Sequence, residues 1–228
     1  MYLFEEDNNL DNKLYFEEKY LRKGYKYICG IDEVGRGSLF GEVTVAAIIM
    51  PLKLDSQNNI IRENIIQNIN DSKKITSKKR EKLSAEIIEN AIAYSIYSAD
   101  EKIIDEINIL NATKYAMIKA IEKLSIKPDI LLIDALNLNI DIEQEAIIKG
   151  DFRSYSIACA SIIAKVSRDK AMENIEEEYK EKYLIHKNKG YGTKEHLERI
   201  MKYSPSNRHR YSFEPMKSYK KRIKINDH

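Results

Sequence analysis

The sequence predicts an α/β domain with a mixed central sheet and helices packed on its faces. Two observations carry this expectation. Apolar, β-branched runs come first as close neighbours, then alternate with stretches of helical periodicity. Several of those runs also stop on an acidic residue, as strands do at the sheet edge where ligands gather in α/β folds. The chain has 228 residues and 43% hydrophobic content, enough for one large domain with a substantial core.

Taken in order, Leu10, Leu14, Tyr20 and Leu21 recur at helical spacing, and Gly24 is a natural stop, so a helix is expected over 8–23. Residues 1–24 then form a helical extension, and 25–228 the catalytic domain. Tyr25 to Asp32 and Val43 to Met50 read as neighbouring strands, a hairpin closed by a glycine-rich turn, with Pro51 ending the second. Thr76 or Ser77 caps a helix reaching Ala91, and the alternation Ala93-Tyr94-Ser95-Ile96-Tyr97-Ser98 predicts a third strand. A helix is expected from Asn108 to Leu124, ended by Pro128-Asp129. Ile130-Leu131-Leu132-Ile133 is a short buried strand that stops at Asp134. A brief strand at Ala146–Lys149 precedes Gly150-Asp151, followed by a long helix over 156–183, another over 193–203, and a basic tail.

Composition excludes several classes of protein. No apolar run approaches the roughly 20 residues that span a bilayer. The N-terminus, with Glu5-Glu6-Asp7, does not read as a signal peptide, and a cytoplasmic monomer is expected. Cys29 and Cys159 lie in apolar surroundings and read as core residues rather than a disulfide. The net charge of +2 hides a segregation of charge. Residues 5–18 are acidic, whereas Lys73 to Arg80 and Lys217 to Lys224 are basic, which suits a polyanion gripped on one face or simply solvated helix faces.

The chemistry lies in the carboxylates. Asp32-Glu33, Asp134 and Asp151 each follow an apolar run or a glycine. Two like charges about 4 Å apart repel by roughly 4 kcal/mol at an effective dielectric near 20. Four clustered carboxylates therefore either take up protons or demand cations. Oxygen ligands without His or Cys select Mg²⁺ or Mn²⁺, and two such ions can activate water against a phosphodiester. Alternative motifs fail: Gly41 is followed by Glu42 rather than by Lys, Phe40 sits where a dinucleotide fingerprint needs glycine, and the four histidines lack zincin spacing. Gly35-Arg36-Gly37 is either a plain turn or a backbone clamp for a small polar group such as a 2′-hydroxyl. Lys73 is either a solvated lysine or a phosphate contact, and Tyr191, between Gly190 and Gly192, is either surface packing or a stacking platform.

These segments resemble bacterial ribonuclease HII over nearly the whole chain. The matches are Gly30-Ile31-Asp32-Glu33-Val34-Gly35-Arg36-Gly37, Asp71-Ser72-Lys73-Lys74, Ile133-Asp134, Lys149-Gly150-Asp151, the run from Ser156 to Asp169, Asn188 to Thr193, and His209 to Phe213. The resemblance implies a ribonuclease H-like fold with a C-terminal helical segment. It implies cleavage of RNA in RNA–DNA hybrids and incision 5′ of a single ribonucleotide in duplex DNA, leaving 5′-phosphate and 3′-hydroxyl ends. By position, Asp32, Glu33, Asp134 and Asp151 become the metal-binding catalytic set. Gly35, Arg36 and Gly37 fall on the turn that reads the 2′-hydroxyl, Tyr191 on the stacking aromatic, and Lys73 near the backbone. The chain departs from the pattern at Glu42, where proline is usual, at Ala135, where glycine is common, and at Ser204 and Asn207-Arg208. Glu42 is expected to add an acid and loosen the turn. Some 24 residues precede the first strand, which favours HII over HIII. The rivals are another nuclease of the same fold, which would cut pure DNA equally well, and a hybrid-binding module that tolerates loss of the acids.

Overall fold

The computed structural model describes residues 13–67, 69 and 76–219. Its centre is a mixed five-stranded sheet in the order β3-β2-β1-β4-β5, flanked by helices. The strands are β1 (Ile28–Val34), β2 (Val43–Ile49), β3 (Ala93–Ala99), β4 (Ile130–Asp134) and β5 (Glu143–Ile147). The first two are neighbours, as their apolar, β-branched sequences predict.

The helices include α1 (Tyr15–Arg22), α2 (Ser77–Asn90), α3 (Glu101–Glu122), the short α4 (Gly150–Arg153), α5 (Tyr155–Glu173), α6 (Glu177–Tyr183), α7 (Ile185–Asn188) and α8 (Lys194–Tyr203). Thr76 caps α2 and Thr193 caps α8, each by accepting a backbone N–H in the first turn.

Two helices differ from expectation. The predicted start at Asn108 is a kink inside α3, where Asn108 leaves helical geometry and its side chain accepts the N–H of Asn111 at 3.1 Å. An unforeseen first segment precedes it, capped by Asp100 through the N–H of Ile103 at 2.9 Å. The single helix expected over 156–183 is broken at 174–176, where the chain turns to bury Ile175 beside Met172. The strand expected at 146–149 instead spans Glu143–Ile147 and ends before Lys149 turns left-handed.

The chain divides into two compact units. Among the described residues, the first holds those within 13–33, 45–97 and 117–166. Its core cluster joins Phe16 and Tyr20 of α1 with Ile28, Ile130, Leu132, Ile147 and Ile157, so α1 packs into the same unit as the sheet strands. The second holds the described residues of 34–44, 98–116 and 167–219. Its core gathers Leu39, Phe40, Met172, Ile175, Tyr183, Ile185, Ile200 and Met216.

Candidate active site

Strand register aligns two of the acids in the first unit. β1 and β4 run parallel, with Cys29 opposite Leu131, Gly30 opposite Leu132 and Ile31 opposite Ile133. Asp32 and Asp134 directly follow the last of these pairs, and the Asp134 charge acts on Asp32. Gly30 allows α5 to lie on β1, since a Cβ there would sit 2.1 Å from the Ser156 carbonyl carbon. That approach brings Ser161 of α5 to the Asp32 carboxylate, to which it donates a hydrogen bond.

Asp32 is buried, and its carboxylate also accepts the N–H of Glu33 at 2.8 Å. Burial first, then the charges of Glu33 and Asp134, push its pKa well above the ordinary carboxylate range. Asp134 is half-buried, and its Oδ1 accepts the N–H of Gly150 at 2.8 Å, which ties the end of β4 to the residue before Asp151. Lys13 Nζ donates to the Asp151 carbonyl at 2.6 Å. Glu17, wholly buried, accepts from Ser154 Oγ at 2.6 Å and from the Ser156 N–H at 2.9 Å, and burial raises its pKa. The segment before β1 thus braces the short helix α4, which carries Asp151, and the start of α5.

Backbone geometry is strained beside both later acids. Ala135 has φ +52° and Lys149 φ +55°, the left-handed region that non-glycine residues disfavour. Ala135 stands at a position whose conformation suits glycine.

In the second unit, Gly35 (φ +91°) opens a turn closed by the Ser38 N–H on the Gly35 carbonyl at 3.2 Å, with Arg36 and Gly37 exposed. The Leu39 N–H donates to Gly190 O at 2.8 Å, and Ser38 bridges Tyr191. The turn and the half-buried Tyr191, far apart in sequence, are therefore laced together.

Two fully buried arginines underlie this assembly, and sequence reasoning gave neither a role. Arg168 donates to the carbonyls of Glu42 (3.0 Å) and Lys189 (2.9 Å) and to Ser38 Oγ (2.9 Å). Its guanidinium lies 5.5 Å from the Tyr191 ring centroid, and a Cβ on Gly35 would stand 2.3 Å from its Nε. Arg210 donates to Gly41 O at 2.8 Å and Arg36 O at 2.9 Å, and burial with Arg168 nearby lowers its pKa to about 9. The available signal for Arg168 was an arginine following the long apolar run of Ile157 to Ala164 within one helix.

Glu42, expected to add an acid near the turn, has its side chain engaged within the second unit. Its backbone carbonyl accepts from Arg168, and its carboxylate pairs with Arg208 at 3.5 Å. Lys73 lies outside the described residues. Among the described residues, no three His, Cys, Asp or Glu side chains already converge as a closed metal-ligand set.

A ribonuclease HII family model matches residues 29–216. The chain belongs to the ribonuclease HII family. Ribonuclease HII of Caldicellulosiruptor bescii is 53% identical over 204 residues, covering 89% of this chain and 94% of that protein. That of Bacillus licheniformis is 48% identical over 207 residues, 90% of this chain and 76% of that protein. Among solved structures, ribonuclease H2 from Pyrococcus horikoshii OT3 superposes with TM-score 0.67 at 25% identity, over 87% of this chain and 99% of that one. Bst-RNase HIII in complex with Mn²⁺ shares the fold at TM-score 0.62 and 18% identity, over 90% of this chain and 73% of that one. As a ribonuclease HII, the chain is a metal-dependent phosphodiester hydrolase with ribonuclease H activity on the RNA of RNA–DNA hybrids. The carboxylate oxygens of Asp32, Glu33 and Asp134 are of the kind a hard divalent cation takes, and burial with two like neighbours disfavours the charged form of Asp32, a cost that a cation bound beside it would relieve. Among the described residues, no helix is long and apolar enough to cross a membrane.

Proposed function

We propose that this ribonuclease HII incises duplex DNA 5′ of a single embedded ribonucleotide, besides cutting the RNA strand of hybrids. The observation that carries the reading is the pairing of the Gly35-Arg36-Gly37 turn with Tyr191, through Ser38 and Gly190, in a chain that also groups Asp32, Glu33 and Asp134. The turn meets the 2′-hydroxyl with backbone groups. Its Gly35 and Arg36 carbonyls are already tied to Ser38 and Arg210, so the clamp is preorganised. Tyr191 stacks on the sugar or base at the RNA-to-DNA junction. Lys73 contacts the phosphate backbone.

Asp32, Glu33, Asp134 and Asp151 would hold two Mg²⁺ or Mn²⁺ ions, Asp32 being the shared ligand. Bound there, the ions supply an activated water and charge stabilisation for the leaving oxygen. Ser161 orients the Asp32 carboxylate, and the Gly150 N–H orients that of Asp134. Addition of water to phosphorus breaks the P–O3′ bond, leaving a 3′-hydroxyl on one fragment and a 5′-phosphate on the other. The enzyme acts as a cytoplasmic monomer.

The test is incision of an end-labelled duplex bearing one ribonucleotide, with Mg²⁺ and Mn²⁺ compared. A single cut 5′ of the ribonucleotide, absent from an all-DNA duplex, is expected. Equal cutting of both duplexes would assign the chain to a DNA nuclease of the same fold.

A further inference from the structure

Two histidines in the second unit are wholly buried, adjoin neither of the two buried arginines by hydrogen bond, and have no part in the chemistry above. His196 lies in the first turn of α8, and His209 precedes Arg210. Their Nε2 atoms are 3.3 Å apart. His196 Nδ1 is 2.9 Å from the carbonyl oxygen of Tyr191, and His209 Nδ1 is 2.9 Å from the backbone nitrogen of Ser206.

The two outer contacts fix every proton between them. Ser206 Oγ also lies 2.9 Å from His209 Nδ1 and could either donate or accept, but the Ser206 backbone N–H can only donate, so His209 Nδ1 is the acceptor and its ring proton sits on Nε2. A carbonyl can only accept, so His196 Nδ1 carries the proton and its Nε2 is bare. The inner pair is then His209 Nε2–H donating to His196 Nε2, the one arrangement that satisfies both rings. Two independent constraints, set at opposite ends, agree at the middle.

We propose that His196 and His209 are positioning residues for Tyr191, forming a directional hydrogen-bond chain from Ser206 through both rings to the Tyr191 carbonyl. The inference rests on the reading of Tyr191 as the aromatic that engages the junction. The Tyr191 carbonyl also accepts the Thr193 N–H at 2.8 Å, and the Tyr191 N–H donates to Asn188 O at 3.0 Å. With the histidine chain added, the peptide groups on both sides of the ring are held, and the ring's direction with them. The Tyr183 ring meets His209 edge-on with centroids 4.7 Å apart, and Phe40 does so at 5.0 Å, which closes the pair off from water. Burial lowers the pKa of both rings, so each is neutral at pH 7, as the chain requires.

The test reads the ratio of kcat/KM for a junction-bearing duplex to that for a uniform hybrid. His196→Phe removes the donor to Tyr191, whereas His196→Asn keeps an amide N–H where Nδ1 stood. His196→Phe should lower the ratio on the order of tenfold, and His196→Asn should restore most of it. Unchanged ratios in both variants, while Tyr191→Ala lowers the ratio, would overturn the positioning role and leave the tyrosine reading intact. An unchanged ratio in Tyr191→Ala would instead overturn the tyrosine reading beneath it. Should His196→Phe not fold, ring ¹⁵N chemical shifts of the wild-type protein decide the matter. Protonated Nδ1 on His196 with protonated Nε2 on His209 is expected, and the same tautomer on both rings would refute the chain.

Discussion

Asp134 Oδ1 accepts the backbone N–H of Gly150 at 2.8 Å, so the carboxylate that ends β4 also fixes the start of the segment bearing Asp151. Gly150 allows this closeness, because a Cβ there would lie 3.3 Å from Asp134 Cα and 2.7 Å from Ile157 Cδ1. One side chain thus serves two ends, a local hydrogen bond and a negative charge.

The two roles separate in Asp134→Asn. The amide oxygen keeps an acceptor for Gly150, but the charge is gone. Cleavage should fall at least about a hundredfold, beyond what loss of an outer-shell partner usually costs, while hybrid affinity and melting temperature stay close to wild type. Undiminished single-turnover cleavage by the purified variant would remove Asp134 from the catalytic set.

Ala135 sits at φ +52°, where a side chain costs about 1–2 kcal/mol. Glycine relieves that strain but adds freedom to the unfolded chain, worth about 0.4–1 kcal/mol the other way. Ala135→Gly should therefore stabilise the protein by roughly 0.5–1 kcal/mol in urea unfolding. A loss of stability would show that the left-handed geometry is not strained.

Gly35→Ala meets two obstacles, a φ of +91° and the Arg168 guanidinium 2.3 Å from the new Cβ. A loss of about 2–4 kcal/mol is expected by denaturant titration, with the selectivity for a ribonucleotide-bearing duplex lost alongside. Wild-type stability would mean that Arg168 is not packed under the turn.

His209 should resist protonation. Burial, then the neighbouring His196, lowers its pKa to about 3, against roughly 6.5 in the unfolded chain. Between those values the unfolded state binds a proton that the folded state refuses, so this contribution is complete above pH 6.5 and lost as pH falls toward 3. In ring NMR, His209 should show no titration between pH 7 and 4.5. A midpoint near 6 would contradict its burial.

Much of this was legible from the chain because strand ends announce themselves locally. The run Ile130-Leu131-Leu132-Ile133 stopping at Asp134, and Ile31 passing into Asp32-Glu33, needed only an apolar pattern followed by acids. What stayed hidden depends on contacts between distant segments. Ser161, Arg168 and the His196–His209 pair acquire their meaning from residues up to 130 positions away, as in the Arg168 to Ser38 bond, and no local pattern encodes such a partner. The Glu42 carboxylate is likewise explained only by a distant partner, Arg208, 166 positions along the chain. The helical turns before Asn108 and the break at 174–176 are hidden from periodicity, the first because Asn108 reads as a helix start and the second because the helical pattern continues across it.

The most direct measurement is cleavage of a 5′-labelled duplex carrying one ribonucleotide, run beside the same duplex in DNA alone, for wild type and Asp134→Asn with Mg²⁺ or Mn²⁺. The account predicts one cut 5′ of the ribonucleotide by wild type, a 3′-hydroxyl on the labelled fragment, and no cut in the DNA duplex or by the variant. Cleavage of both duplexes at equal rates, or full activity in Asp134→Asn, would contradict it.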